Sequence, residues 1–535
     1  MFNFLFYCIS IDFFGILDLG GVSMKKVVII GAGPAGLSCA YRLLKNNKKI
    51  DVTIIEEDKQ VGGISKTVSY KGNRMDVGGH RFFTKNEEVK KLWLDILPLQ
   101  GKPSYDDIIL KTEKEFSEGG PDPEKEDKVM LIRNRVSRIF YNKKFFDYPI
   151  NLNFKTIKNM GFGTTIVSGF SYIKASCFKL DEANLENFYI NRFGKKLYSM
   201  FFKEYTTKLW GRTPKEIDSS WGSQRVKGIS IRKVLIDYFM RLFKLENKNK
   251  ETSLIEAFLY PKFGPGEFYE VLASEVEKLG GKIILNSKVI KIDNESNNIK
   301  SIKYFSNDKE VTLKCDYLVS SMPMKDLVDG MNNIPRNIRK ISSGLPYRDF
   351  VTIGVLVPKL AFNDRKAETI HGGINDNWIY VQDPSVTMGR IQIFNNWSPY
   401  MVKKPKDTIW MGLEYFCSEG DDFWNMSDKE LKEFAHEELK RMKFIDCEIM
   451  DSCVIRVKKA YPAYFDTYKD IDVLRKHLNK YKNLYCIGRN GTHSYNNMDH
   501  SILSGFICAD MIKDNDYDLN KLWNVNVDKS YQEEK

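Results

Sequence analysis

Apolar runs bracketed by glycine and charge set out the first elements of the chain. Residues 27–30, Val-Val-Ile-Ile, are a continuous apolar stretch of the kind buried on both faces of a parallel sheet. They turn through Gly31-Ala32-Gly33-Pro34-Ala35-Gly36 into residues 37–45, where apolar positions recur at helical spacing. A second run, Val52-Thr53-Ile54-Ile55, closes in Glu56. Strand, helix and strand together have the length of one βαβ unit, about 30 residues. Residues 102–128 are polar around Glu118-Gly119-Gly120-Pro121-Asp122-Pro123 and predict a surface excursion between domains. Residues 131–148 predict a hairpin turning near Asn142-Lys143-Lys144, and residues 151–250 carry helical patterns, including 184–210.

Near Gly264 the pattern returns to the first domain. A helix is predicted over 268–279, a strand over 282–285, a hairpin from 289–292 and 299–304, and a buried strand over 317–320. Residues 345–415 alternate apolar and polar positions as an antiparallel sheet does. A short strand over 483–488 and a helix over 501–512 precede a polar tail from 515 to 535. The whole predicts an α/β protein with a Rossmann-like dinucleotide-binding domain built from residues 24–101, 265–330 and 481–514. Interleaved with it is an α+β substrate domain, residues 102–264 and 331–480, carrying an antiparallel sheet.

Candidate chemistry starts at Gly31-x-Gly33-x-x-Gly36, set between strand and helix. Gly31 permits the tight turn, Gly33 lets the backbone approach a pyrophosphate, and Gly36 lets helix and strand pack closely. The helix start adds oriented N–H groups and partial positive charge. Glu56 closes the second strand, placed to accept hydrogen bonds from ribose hydroxyls. Soon afterwards comes a second glycine pair, in Glu56-Glu57-Asp58-Lys59-Gln60-Val61-Gly62-Gly63. Here the chain resembles the flavoprotein superfamily of amine oxidases, protoporphyrinogen oxidases and UDP-galactopyranose mutases, in which such a pair approaches the FAD diphosphate. The resemblance continues at Lys288-Val289-Ile290, by the adenine in that superfamily, and at Cys486-Ile487-Gly488-Arg489, beside the flavin. It implies FAD as cofactor, held by Gly31, Gly33, Gly36, Glu56, Glu57, Gly62, Gly63, Gly79, Val289, Gly488, Arg489 and Met498. Gly264-Pro265-Gly266 lacks a third glycine, since position 269 is Tyr, so no second nucleotide domain is predicted.

Within that superfamily several blocks resemble UDP-galactopyranose mutases. They are Phe145-Phe146-Asp147-Tyr148-Pro149-Ile150-Asn151-Leu152, Gly194-Lys195-Lys196-Leu197-Tyr198 and Tyr205-Thr206-Thr207-Lys208-Leu209-Trp210-Gly211-Arg212. Val386-Thr387-Met388-Gly389-Arg390-Ile391 and the ungapped run from Gly488 to Asp499 extend the likeness. By this resemblance Arg212 and Arg390 clamp a substrate diphosphate, a task that suits the forked, permanently charged guanidinium. Tyr461 and Tyr495 would bond phosphate, Met498 would lie near the flavin, and His80 would stand beside it. Gly78-Gly79-His80-Arg81-Phe82-Phe83-Thr84 departs from the mutase pattern, with Phe83 where a second flavin-facing His is expected; Asn497 and Asp499 also depart. The implied function is a flavoenzyme acting through flavin N5 on a nucleotide sugar or related diphosphate, as in cell-surface polysaccharide synthesis. The alternative is an FAD-dependent oxidoreductase of amine oxidase or protoporphyrinogen oxidase type.

Composition narrows the partners. Of 535 residues, 42% are hydrophobic and 28% charged, ordinary for a globular protein large enough for two domains. Eight Trp, 27 Tyr and 34 Phe suffice to line a cleft for a planar ligand. The net charge of +12 is spread among acids and fits an anionic small molecule. No basic arm or zinc-finger spacing points to nucleic acid. Nine dispersed cysteines without a CxxC, and six histidines, predict neither a disulfide framework nor a metal site, and suit the reducing cytoplasm. Residues 1–23 lack a basic start and a small-residue cleavage site, and are too short and acidic to span a membrane. Met24-Lys25-Lys26 is the more natural beginning, so 1–23 is expected to be an over-long extension of the reading frame, the alternative being a peripheral membrane anchor.

Overall fold

A computed structural model describes residues 24–46, 49–148, 150, 154–219, 221–222, 257–362 and 368–525. The expected extension 1–23, the last part of the tail, and Pro149, Asn151 and Leu152 of the mutase-like block lie outside these residues.

Five parallel strands form the first sheet, in the order Leu484–Cys486, Tyr317–Ser320, Lys25–Ile30, Ile50–Ile55, Lys282–Ile284. Val27 lies between Tyr317 and Val52, and all four residues of Tyr317–Ser320 are buried. A strand covered on both faces has no solvent side, which is why these runs are continuously apolar. Helix Pro34–Asn46 packs against Pro265–Lys278 and Met498–Asp514 over this sheet. The hairpin expected after residue 289 gains a third strand: Ser287–Glu295, Asn298–Ser306 and Lys309–Lys314 make an antiparallel sheet.

The second large sheet has seven strands. Their order is Asp451–Pro462, Tyr347–Val357, Ile409–Cys417, Arg390–Ile393, Trp378–Val381, Ser137–Tyr141, Lys144–Asp147. All neighbours are antiparallel except Trp378–Val381 with Ser137–Tyr141. The expected alternation of burial fails here, since every residue of Ile409–Cys417 is buried. One face packs on Leu431, Ala435 and Leu439 of helix Asp428–Arg441. The other packs on aromatic clusters that include Trp378, Trp410, Phe416 and Tyr461. Both faces are therefore interior, and the second one lines the site described below.

Two local expectations change. The hairpin is Ser137–Tyr141 with Lys144–Asp147, turning at Asn142 and Lys143, both at positive φ. The residues before it, Met130–Asn134, pair instead with Ala257–Pro261, far along the chain. Nor is 102–128 simply a surface excursion. Arg133 holds Asp106 with two hydrogen bonds of 3.1 and 2.6 Å, and both residues are buried. Burial pushes the Asp106 carboxyl up, but the Arg133 guanidinium outweighs it and holds the group at about 2. Asp107 pairs with Lys114 beside it, so the segment is pinned by ionic contacts that its polar composition disguises.

Candidate functional site

The fingerprint loop is held open by backbone geometry. Gly31 has φ +98°, and a Cβ there would strike Ser321 Oγ at 2.2 Å. A Cβ on Gly36 would lie 1.9 Å from the Gly31 carbonyl oxygen. Gly33 is different: its Cβ would meet nothing nearer than the Gly63 Cα at 3.8 Å. A Cβ on Gly63 would in turn lie 3.4 Å from the Gly33 Cα, so the two glycines bring bare backbone together with no side chain between. Glu56 sits at the mouth of the loop and accepts from the Ala32 amide at 2.6 Å and the Asp58 amide at 2.9 Å. Burial raises this carboxyl and the two amides oppose the shift. Each oxygen keeps a further lone pair for a hydroxyl. Glu57 is exposed and pairs with Lys288 at 3.0 Å, so the carboxylate turned toward the loop is Glu56. The Glu56 carbonyl accepts from Ser287 N at 2.8 Å, which places Val289 close to the same strand end. A bulge follows directly, between Val289 and Lys291, a feature that often re-aims backbone beside a site.

A second group of residues comes from the turn after Asp76 and from the last parallel strand. A Cβ on Gly79 would fall 1.7 Å from the Trp378 ring, so the indole lies directly on the Gly79 backbone. His80 Nδ1 lies 3.0 Å from the Gly78 carbonyl, which makes it the donor and leaves Nε2 as acceptor. Burial, then the neighbouring Arg489 charge, lowers His80 to about 3, so the ring is neutral at pH 7. Gly488, at φ +70°, approaches Ala35 of the fingerprint helix, and its amide donates to Ser504 at 2.9 Å. Arg489 donates to the Asn496 carbonyl at 2.8 Å and the Ala460 carbonyl at 3.1 Å. Met498 is buried at the first position of its helix.

Arg390 stands at the centre of an aromatic box. Its Nε donates to Tyr205 Oη at 2.6 Å, and Nη1 donates to Glu414 and to Tyr461 Oη, both at 3.2 Å. The guanidinium carbon is 4.8 Å from the Phe416 ring centre and 5.2 Å from Trp378. Among the described residues its Nη2 has no hydrogen-bond partner. Glu414 is fully buried and also accepts from Gln392 at 3.0 Å; burial raises its carboxyl while Arg390 opposes that. Tyr461 stacks on Tyr495 with ring centres 5.6 Å apart, and Arg489 lies 4.8 Å from the Tyr495 ring. Contacts thus run from Gly79 through Trp378, Arg390, Tyr461 and Tyr495 to Arg489, linking the two large sheets.

Three of the four expected substrate-binding residues, Arg390, Tyr461 and Tyr495, therefore gather in one place, together with Arg489, which was expected beside the flavin. Arg212 does not join them by contact. It is half-exposed, pairs with Asp466 at 2.8 Å, and lies 4.3 Å from the Phe465 ring, along the chain leaving the Tyr461 strand. Several site residues were not anticipated. Tyr205 lies within the mutase-like block, and Glu414 is an acid inside the otherwise apolar run Ile409–Cys417, a signal readable in the sequence. Trp378 carries no such signal. Lys208, from the same block as Tyr205, donates to the carbonyls of Val381 at 3.3 Å, Asp383 at 2.8 Å and Met388 at 3.1 Å, and burial lowers it to about 8. It fixes the loop that leads into Arg390.

A parallel sheet with a glycine cradle, a carboxylate at the second strand end and a helix start beside them defines a dinucleotide-binding flavoprotein. The family model for flavin containing amine oxidoreductases matches residues 34–513, and the chain belongs to that family. It is an FAD-dependent enzyme, and the backbone left bare at Gly33 and Gly63 suits the close approach of an FAD diphosphate. The fold is similar to that of a reduced UDP-galactopyranose mutase, with TM-score 0.73 and 19% identity, covering 94% of this chain and 99% of that one. Among curated relatives, the inactive all-trans-retinol 13,14-reductase of Danio rerio is 23% identical over 310 residues, 55% of this chain and 47% of its own. The dTDP-fucopyranose mutase of Escherichia coli is 27% identical over 205 residues, 37% of this chain and 45% of its own. Each of these two sequence matches spans less than half of the relative.

Proposed function

We propose that this flavoenzyme acts on a nucleotide sugar or a related diphosphate, held in the Arg390 box. The observation that carries the proposal is a buried guanidinium with one nitrogen, Nη2, left unbonded among tyrosine hydroxyls. When bound, FAD supplies a ring that exchanges hydride or, when reduced, acts as a nucleophile at N5. The chain's own residues orient the substrate. Arg390 would take a phosphate oxygen on Nη2 while Tyr205 and Glu414 fix the fork. Tyr461 accepts from Arg390 and so keeps its own O–H to donate. Arg489, beside Tyr495, would add positive charge. His80, neutral and committed through Nδ1 to Gly78, serves as an acceptor and a positioning group rather than as an acid. Trp378, whose buried Nε1 has no partner among the described residues, has a donor left for a ligand.

A second reading is favoured by specific observations. Both arginines already have carboxylates, Glu414 and Asp466, and Phe83 replaces a histidine of the mutase pattern. A half-neutralised aromatic box also suits an amine or a porphyrinogen, with hydride passing to the flavin.

Dithionite-reduced protein supplied with UDP-sugars separates the two. Isomerisation without net consumption of reductant is expected; steady oxygen uptake with an amine or porphyrinogen, and none of the isomerisation, rejects the mutase-like assignment. In UDP titrations followed by flavin fluorescence, Arg390→Lys keeps the charge opposite Glu414 but loses the fork. Affinity should fall by about 1.5–3 kcal/mol. Arg212→Ala should cause a similar loss if that side chain leaves Asp466 for the substrate. Unchanged affinity would make Arg212 a partner of Asp466 alone.

A further inference from the structure

One helix of the second domain is amphipathic in the wrong sense for water. Phe162–Cys177 packs on helix Leu185–Phe201 so closely that a Cβ on Gly194 would lie 2.7 Å from Tyr172 N. The Ser171 hydroxyl accepts from Lys196 N at 3.1 Å in the same contact. The residues turned inward are small or hydroxylated, with Ser168 and Ala175 buried. The large apolar residues point out: Phe162 is 77% exposed, Ile166 43%, Phe170 69% and Ile173 58%. Positions 162, 166, 170 and 173 share one face at about 100° per residue. Phe154, at 80% exposed, and Phe178, at 73%, extend the apolar surface before and after the helix. A surface helix on a globular protein ordinarily has the opposite arrangement, and an exposed apolar face of this kind marks an interaction site.

Charge identifies the partner. Residues 154–179 contain Lys155, Lys158, Lys174 and Lys179 and no acid; Lys155 faces Asp147 at 3.6 Å and Lys179 donates to the Asn191 carbonyl at 2.7 Å, so Lys158 and Lys174 carry the charge of this face. A second copy of this chain would set these lysines against their own counterparts across a two-fold axis, which like charge disfavours. An anionic bilayer offers acyl chains to the phenylalanines and negative headgroups to the ammonium groups. At the foot of the helix a cleft of about 140 Å³ sets Asn142, Lys144, Thr164 and Lys196 beside Met160 and Met200, a mixed lining whose two lysines offer positive charge to a lipid phosphate. Among the described residues no helix is long and apolar enough to cross a membrane.

We propose that the enzyme docks peripherally on an anionic lipid surface through this face, with Phe162–Cys177 lying in the plane of the interface. The assignment is independent of the substrate. Its test is sedimentation of the FAD-loaded enzyme with vesicles of phosphatidylcholine alone or mixed with phosphatidylglycerol. Binding to the mixed vesicles is expected, weakening with added salt as surface charges are screened. The double variant Phe162→Ser, Phe170→Ser should bind roughly tenfold less, with flavin absorbance and melting temperature unchanged. Lys158→Glu with Lys174→Glu should abolish the preference for anionic vesicles. Absence of binding to mixed vesicles overturns the proposal, as does binding that the serine variants leave intact. Self-association that the serine variants abolish, without vesicle binding, would assign the face to a second copy instead.

Discussion

Gly33 and Gly36 lack a Cβ for different reasons, and single alanines separate them. At Gly36 the added carbon would sit 1.9 Å from a backbone oxygen of the protein itself, where nothing flexible can give way. At Gly33 the same carbon has 3.8 Å to its nearest protein neighbour. Gly36→Ala must therefore displace helix from strand, and overpacking of this kind costs about 1–3 kcal/mol or more. Gly33→Ala leaves the protein packing as it is but covers the bare backbone that the FAD diphosphate is expected to approach. The expected outcome is a folded, nearly colourless Gly33→Ala protein and a Gly36→Ala protein with a clearly lowered melting temperature. Circular dichroism melts and the ratio of flavin to protein absorbance read both effects. A fully yellow Gly33→Ala protein would place the diphosphate elsewhere.

At the scale of elements, a buried carboxyl ties the strand Asn73–Asp76 to the strand Ala257–Pro261. Asp76 is fully buried, accepts from Thr67 at 2.8 Å and from the Tyr260 hydroxyl, and burial raises it to about 7 from the ordinary 3.8. The folded protein therefore keeps a proton on Asp76 between about pH 4 and 7 that the unfolded chain releases. Stability contributed by this site is present at low pH and is lost as pH rises across that window. Asp76→Asn cannot ionise, so its melting temperature should fall less between pH 4.5 and 7.5 than that of the unaltered protein; parallel curves would show that Asp76 does not titrate there. This contact also marks where the sequence is legible and where it is not. Parallel strands such as Tyr317–Ser320 and the fingerprint turn are readable because local rules, a continuous apolar run and fixed glycine spacing, decide them. Met130–Asn134 pairs with Ala257–Pro261, and no local pattern carries a partner that distant. Residues 102–128 look exposed because composition cannot reveal that Arg133 neutralises Asp106 in the interior. Arg390, Tyr461 and Tyr495 are found by motif, and Tyr205 and Glu414 leave a trace in the sequence, but their contacts with Arg390, and the place of Trp378, emerge only when separate strands and a helix converge.

For the whole molecule the decisive feature is how the chain threads its two large sheets. It lays down Lys25–Ile30 and Ile50–Ile55, leaves for Ser137–Tyr141 and Lys144–Asp147, and returns for Lys282–Ile284 and Tyr317–Ser320. It then builds most of the antiparallel sheet over 347–462 before Leu484–Cys486 completes the parallel one. Neither sheet is contiguous in sequence, so neither can close while the other is unfolded without long loops losing conformational freedom. FAD acts in the same direction, because its expected contacts come from residues 31–36, 56–63, 79, 289 and 488–498. A ligand at a hundred times its dissociation constant adds about 2.7 kcal/mol to the folded state. Large proteins often unfold domain by domain, but here the connections and the cofactor couple the two bodies. Flavin release, loss of far-ultraviolet dichroism and exposure of Trp378, Trp397 and Trp410 in the second body should coincide in one thermal transition. Removing FAD should move all three signals to lower temperature together. If tryptophan exposure instead came well after flavin loss, the antiparallel body would be standing alone, and the threading would not be what holds the molecule together.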